Sequence, residues 1–161
     1  MGGAIVQHMA LNAPARLAGL ILVATGARLR VAPAILDGVL ADYAAALDTI
    51  TRYAWGPQAP EQLVRLGRRQ LAQSDAQVTH GDYAACNAFD VMERLGQIAL
   101  PTLVIGGTAD QLTPVKYAVT LAERIPGAQV CLIENAGHMV MLERPAQVAR
   151  AVGDFLLKTF P

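Results

Sequence analysis

Two stretches of this chain share one design, and that design limits the fold more than any other feature. Thr102-Leu103-Val104-Ile105-Gly106-Gly107 is an apolar run that breaks into Thr108-Ala109-Asp110, with Pro114 opening the next helix. Val130-Cys131-Leu132-Ile133-Glu134 breaks at Ala136-Gly137, delivers His138, and restarts as a helix at Pro145. Runs without polar alternation read as buried strands, covered on both faces as in parallel sheets. Each delivers one ionisable side chain at its carboxyl end, the edge where open α/β folds place their sites. Parallel pairing would bring Asp110 and His138 to one rim.

Gly2 to Asn12 reads as a helix ended by Pro14, and Leu17 to Ala24 as a third continuous strand. From Pro33, the positions Ile35, Leu36, Val39, Leu40, Tyr43 and Leu47 follow at helical spacing and predict one helix. Gly56-Pro57 breaks it, and a second helix runs from about Pro60 through Leu71. Thr79 with Asp82 resembles a capping box and predicts a third helix carrying Tyr83, Cys86, Phe89 and Met92. Three helices between two strands exceed the needs of a crossover and read as a cap or lid. Thr113-Pro114 predicts the N-cap and first residue of a helix carrying Ala118, Leu121, Ala122 and Ile125. The helix from Pro145 is expected to bury Val148, Val152, Phe155 and Leu156. The alternation of strands and helices predicts an α/β fold with a right-handed parallel layer. The expected division is a core of residues 1–27 and 95–161 and a helical lid over 28–94.

Composition narrows the function classes. The 161 residues carry no net charge, so neither a nucleic-acid footprint nor an anionic-membrane patch is expected. No apolar run approaches the roughly 18 residues of a membrane span. The start lacks signal-peptide shape, and a cytoplasmic protein is expected. Cys86 and Cys131 stand in no metal or redox spacing and read as buried free thiols. No metal or organic cofactor is implied. Hydrophobic residues make up 53% of the chain, enough to suggest that some apolar surface lies against something else.

Gly106-Gly107-Thr108-Ala109-Asp110-Gln111-Leu112-Thr113-Pro114 resembles the acid turn of the α/β-hydrolase family, of the serine esterase and lipase kind. Asn135-Ala136-Gly137-His138, followed by Leu142-Glu143-Arg144-Pro145, resembles its histidine turn. The resemblance implies that His138 is the general base and Asp110 the residue orienting it, in the family's order of nucleophile, acid, histidine. Met1-Gly2-Gly3-Ala4 resembles the residues after the nucleophile in a G-x-S-x-G elbow. The chain would then be the C-terminal portion of such a hydrolase, beginning just after the serine, with the Met1 N–H as an oxyanion-hole donor. Ser74 is the only serine, and it has neither flanking glycines nor a strand–turn–helix setting.

The implied activity is hydrolysis of carboxylic esters or related acyl compounds. A catalytically inactive remnant or binding module stays open, as do carbon–carbon bond hydrolysis and cofactor-free haloperoxidase chemistry on the same fold. Met139 in place of Trp after the histidine weighs against the carbon–carbon hydrolases. Trp55, Tyr83, Phe89 and Met139 are candidates to line an apolar acyl or alcohol pocket. Arg28 and Arg30, where strand passes into lid, read as solvated, with contact to an anionic substrate end left open; Glu134 and Glu143 read as solvent or salt-bridge residues, with a supporting role near His138 left open. His8 is expected on the first helix surface and His80 in the first turn of a lid helix. The expected partners are a small-molecule ester or acyl substrate and, against the open edge of the Leu17–Ala24 strand, the N-terminal part of the same hydrolase or a second copy.

Overall fold

The computed structural model describes residues 1–160. Strands β1 (Leu20–Val23), β2 (Thr102–Gly107) and β3 (Gln129–Ile133) form one parallel sheet in the order β1-β2-β3. Leu20 pairs with Thr102 and Val23 with Ile105; Leu103 pairs with Gln129 and Gly107 with Ile133. The carboxyl ends of β2 and β3 therefore fall at one level, immediately before the two turns that carry Asp110 and His138.

Alternation divides the sheet's side chains between two apolar clusters. Leu20, Leu22 and Val104 pack with Ala10 of α1 (Gly2–Asn12), Leu95 and Ile98, and Ala118 and Leu121 of α6 (Val115–Arg124). Ile21, Val23, Leu103, Ile105 and Ile133 pack on the other face, against Val148, Ala151, Val152 and Phe155 of α8 (Pro145–Thr159), which follows the single turn α7 (Val140–Glu143). The α8 positions recur at three- and four-residue intervals, the stripe a helix buries on a sheet. Leu156 falls outside that stripe and is exposed, against expectation.

All six residues of β2 are buried, as its run of apolar residues requires. The third strand departs from the expected burial, because Val130 and Leu132 are 47% and 38% exposed. They share the face opposite Cys131, which packs with the α8 cluster, and α6 leaves them uncovered. An apolar run identifies a strand; it does not say what lies over each face. The first strand is also shorter than Leu17 to Ala24. Cys86 and Cys131 are free thiols as expected, but half-buried rather than buried.

Between β1 and β2 stand four helices rather than three: α2 (Pro33–Ala41), α3 (Tyr43–Ala54), α4 (Glu61–Leu71) and α5 (Ala76–Ala88). Asp42 divides the helix expected from Pro33. Its backbone leaves helical geometry, and its carboxylate accepts the Ala45 N–H at 3.1 Å to start α3. Asp75, not Thr79, caps α5 by accepting from the Gln77 N–H at 2.7 Å. Thr79 lies buried inside that helix, 2.8 Å from the Tyr43 hydroxyl, and His80 beside it is past the first turn. Phe89 and Met92 fall beyond the end of α5, with Met92 opening a 3₁₀ turn. Thr113 likewise does not cap α6, since its hydroxyl is bonded to Asp110 instead.

The chain enters and leaves the four-helix segment through a paired neck. The Val91 N–H donates to Ala27 at 2.8 Å, the Val31 N–H to Asn87 Oδ1 at 3.0 Å, and Arg28 Nε meets Asp90 Oδ2 at 2.6 Å. The segment has its own small core of Val39, Ala46 and Ile50.

Leu121 is fully buried where α6 meets the sheet. Leu121→Ala removes that packing and is expected to cost about 2–5 kcal/mol of unfolding free energy, read from the shift of the denaturant midpoint at unchanged slope.

Candidate active site

Two turns build the site, and backbone bonds join them before any side chain is considered. The Thr108 N–H donates to Ile133 O at 3.0 Å and the Ala109 N–H to Ala136 O at 2.9 Å, so β2–β3 pairing continues past the strand ends. Gly107 must be glycine for this crossing. A Cβ there would lie 2.2 Å from Ala136 O and 2.5 Å from Gly137 O. Asn135 takes up a left-handed conformation, φ 56°, which Asn tolerates better than most side chains. Its N–H donates to Thr108 Oγ1 at 2.9 Å, tying the histidine turn back to the acid turn.

Asp110 is buried, and both its oxygens are occupied. Oδ1 accepts the backbone N–H groups of Leu112 and Thr113, each at 2.8 Å, closing the acid turn on itself. Oδ2 accepts the Thr113 hydroxyl at 2.8 Å and lies 2.9 Å from His138 Nδ1. A carboxylate only accepts, so the imidazole carries its proton on Nδ1 and leaves Nε2 as the unprotonated nitrogen. Burial by itself pushes the Asp110 carboxyl up. The hydrogen bond and charge of His138, with the bonds from Thr113, outweigh burial and hold it below the ordinary carboxylate range.

His138 is about a quarter exposed through its side chain, whereas Asp110 has no exposed side-chain surface. The histidine borders a cavity of about 580 Å³ that reaches under the inserted helices. Met1, Leu29, Ile35, Ile50, Tyr83 and Met139 are among the residues lining it. Tyr83, Met139 and Met1 thus border the same cavity as His138. Burial, first of all, raises the Tyr83 phenol to about 12, so it stays neutral at physiological pH. Ser74, exposed between α4 and α5, also borders the cavity.

Two expected pocket residues do not belong to it. The Trp55 ring is buried against α4, where a Cβ on Gly67 would meet its Cζ2 at 2.5 Å. Phe89 borders a separate cavity of about 290 Å³ beside α1, with Ile5, His8 and Met9. Both are large and apolar, which marks residues for burial without choosing the cavity. Arg30 does reach the main cavity, while its guanidinium donates to Asn87 O. Among the described residues, no group of three or more His, Cys, Asp and Glu side chains could hold a metal ion.

Glu143, read chiefly as a solvent or salt-bridge residue with a role near His138 left open, is only 6% exposed, and its carboxylate accepts the Gly56 N–H at 3.1 Å and the Gly137 N–H at 3.0 Å. Glu134 is exposed as expected and accepts from the Thr108 hydroxyl at 3.3 Å. Sequence reasoning missed Thr113, its hydroxyl being assigned to a helix cap. A signal for Glu143 was available in its position five residues after the histidine, but it did not reveal which backbone groups needed an acceptor.

The sequence profile of the alpha/beta hydrolase family matches residues 1–151. This chain belongs to that family. A solved thermophilic esterase of the same fold superposes with a TM-score of 0.91 at 36% identity, over 98% of this chain and 63% of the esterase. A structure described as Est816, an N-acyl homoserine lactone degrading enzyme, superposes at 0.83 with 26% identity, over 99% of this chain and 64% of its own. Monoacylglycerol lipase ABHD6 of Rattus norvegicus is 41% identical over 68 residues, which are 42% of this chain and 20% of the lipase. The alignment thus spans about a fifth of that hydrolase, and under two thirds of the two superposed enzymes.

A carboxyl held low in the folded state stabilises the fold above its unfolded value of roughly 3.9. That contribution is lost as pH falls through the lower, folded value. Asp110→Asn abolishes the titration. The variant is expected to be less stable than wild type at neutral pH and to lose less stability on acidification below about pH 4. Urea midpoints followed down the pH scale would check both signs.

Proposed function

We propose that this chain supplies the acid and the base of a serine hydrolase acting on carboxylic esters or related acyl compounds. The reading rests on one observation above the others: buried Asp110 Oδ2 lies 2.9 Å from Nδ1 of His138, which borders the cavity with Nε2 the free nitrogen. The attacking atom is a serine hydroxyl placed immediately before Met1, as the Met1-Gly2-Gly3 elbow remnant suggests. Met1 borders the cavity beside His138, which supports that placement.

In the proposed reaction His138 Nε2 removes the serine proton as the oxygen attacks the ester carbonyl. The Met1 N–H stabilises the oxyanion. His138 then returns the proton to the departing alcohol, and a water molecule repeats the cycle on the acyl-enzyme. Asp110 fixes the imidazole tautomer and stabilises the transient imidazolium, and Thr113 holds Asp110. Residues 28–94 act as a lid that keeps water from the acyl chain. The cavity's aliphatic lining, with Leu29, Ile35 and Ile50, favours an apolar acyl or alcohol group. The ester-cleaving names of the esterase and the lipase support the same substrate class.

In the full-length protein a fluorophosphonate probe is expected to label one serine, and His138→Ala is expected to lower turnover of p-nitrophenyl esters by about 10³-fold or more. Absence of labelling, with ester turnover indifferent to His138, would overturn the hydrolase reading in favour of a non-catalytic binding module.

A further inference from the structure

The inserted helices touch the histidine turn through a contact that the proposed catalytic steps do not use. Gly56, which follows the C-terminal end of α3, lies directly against Gly137. A Cβ on Gly137 would stand 2.3 Å from the Gly56 nitrogen, and one on Gly56 would stand 2.7 Å from the Gly137 nitrogen. Two backbone N–H groups therefore meet in a buried place where neither finds a carbonyl. The Glu143 carboxylate lies between them. Oε2 accepts from Gly56 at 3.1 Å and from Gly137 at 3.1 Å, and Oε1 accepts from Gly137 at 3.0 Å. Two residues further on, the Met139 N–H donates to Ala54 O, the last residue of α3, at 3.1 Å. His138 is the residue between these two anchors.

We infer that Glu143 is a positioning residue: its carboxylate clamps the histidine turn to the end of α3 and so fixes His138 against Asp110 while seating the lid. The chemistry of the group supports this assignment. An ionised carboxylate accepts at both oxygens and donates nothing, which suits converging N–H groups. A Gln side chain of the same shape offers one oxygen and one NH₂. With its oxygen in the Oε2 position it keeps Gly56 and one of the two Gly137 bonds, but its NH₂ then sits where Oε1 was, 3.0 Å from the Gly137 nitrogen, donor against donor. Reversed, it loses Gly56. Either way a buried donor is left unmatched, and the turn must shift. The adjacent Arg144 reinforces the same turn, its guanidinium donating to Asn135 O at 3.3 Å and to Gln58 Oε1 of the lid at 3.0 Å.

The inference uses the hydrolase reading only for its kinetic arm. The test compares Glu143→Gln and Glu143→Asp with wild type in the full-length protein. Its first readout, made without substrate, is the downfield proton resonance of the His138 Nδ1–H···Asp110 bond, followed against pH. In Glu143→Gln that resonance is expected to broaden or move upfield while circular dichroism stays that of a folded protein. Turnover of a p-nitrophenyl ester is expected to fall by about 10²-fold in kcat, the cost of a misplaced catalytic group, with KM changed less than about threefold. Glu143→Asp keeps two acceptor oxygens and is expected to restore part of the resonance and of kcat. A Glu143→Gln protein with the wild-type resonance and wild-type kcat, whatever its melting temperature, would overturn the inference. Wild type showing the resonance but cleaving no ester would sink the hydrolase reading and leave the clamp standing.

Discussion

The close passage of the two turns that leave β2 and β3 governs this structure. Gly107 sits beneath the carbonyls of Ala136 and Gly137 at a separation that no side chain fits. Parallel pairing sets the level of the two strands, and the bonds from Thr108 and Ala109 carry that level into the loops. Asp110 and His138, carried on the two turns so joined, then lie at hydrogen-bond distance. The electrostatics follow from this geometry. A buried carboxylate is costly, and the hydrogen bond and charge of His138, with the two bonds from Thr113, outweigh that burial at Asp110.

A second contact, between Gly56 and Gly137, connects the four inserted helices to the rim. It has the same physical character: backbone against backbone, with polar groups that require an acceptor brought from elsewhere. Glu143 supplies it. Ala54 and His138, neighbours of this contact in the chain, and Leu29 and Arg30, neighbours of the Arg28–Asp90 ion pair, all line the cavity. Its walls come from the insert, the first residue, the acid turn and the histidine turn, so no one element encloses it.

Much of this was legible in the residues. Thr102–Gly107 stands where its apolar run put it, and the helices after Pro33 and Pro145 begin at those prolines. The errors have local causes. Asp42 and Thr79 compete for backbone or side-chain partners, and the sequence does not say which competitor wins. At 42 the carboxylate took a backbone N–H and ended one helix in favour of another; at 79 the hydroxyl took a tyrosine, and the cap fell to Asp75. Val130 and Leu132 were read as buried because apolarity reports a preference, whereas exposure depends on what lies above the strand.

The sequence alone determined the kind of fold and the two residues that carry ionisable groups at its rim. Apolar runs, prolines and glycine turns are local signals, and local physics reads them. Only the tertiary structure decided which large apolar side chains face the cavity, placing Tyr83 and Met139 there and sending Trp55 and Phe89 elsewhere. It also decided that Glu143 and Thr113 act as acceptor and donor within the site rather than as a surface charge and a helix cap. The reason is the same in each case. A side chain's partner is set by distances between segments remote in the chain, and those distances exist only once the sheet, the turns and the insert have packed together.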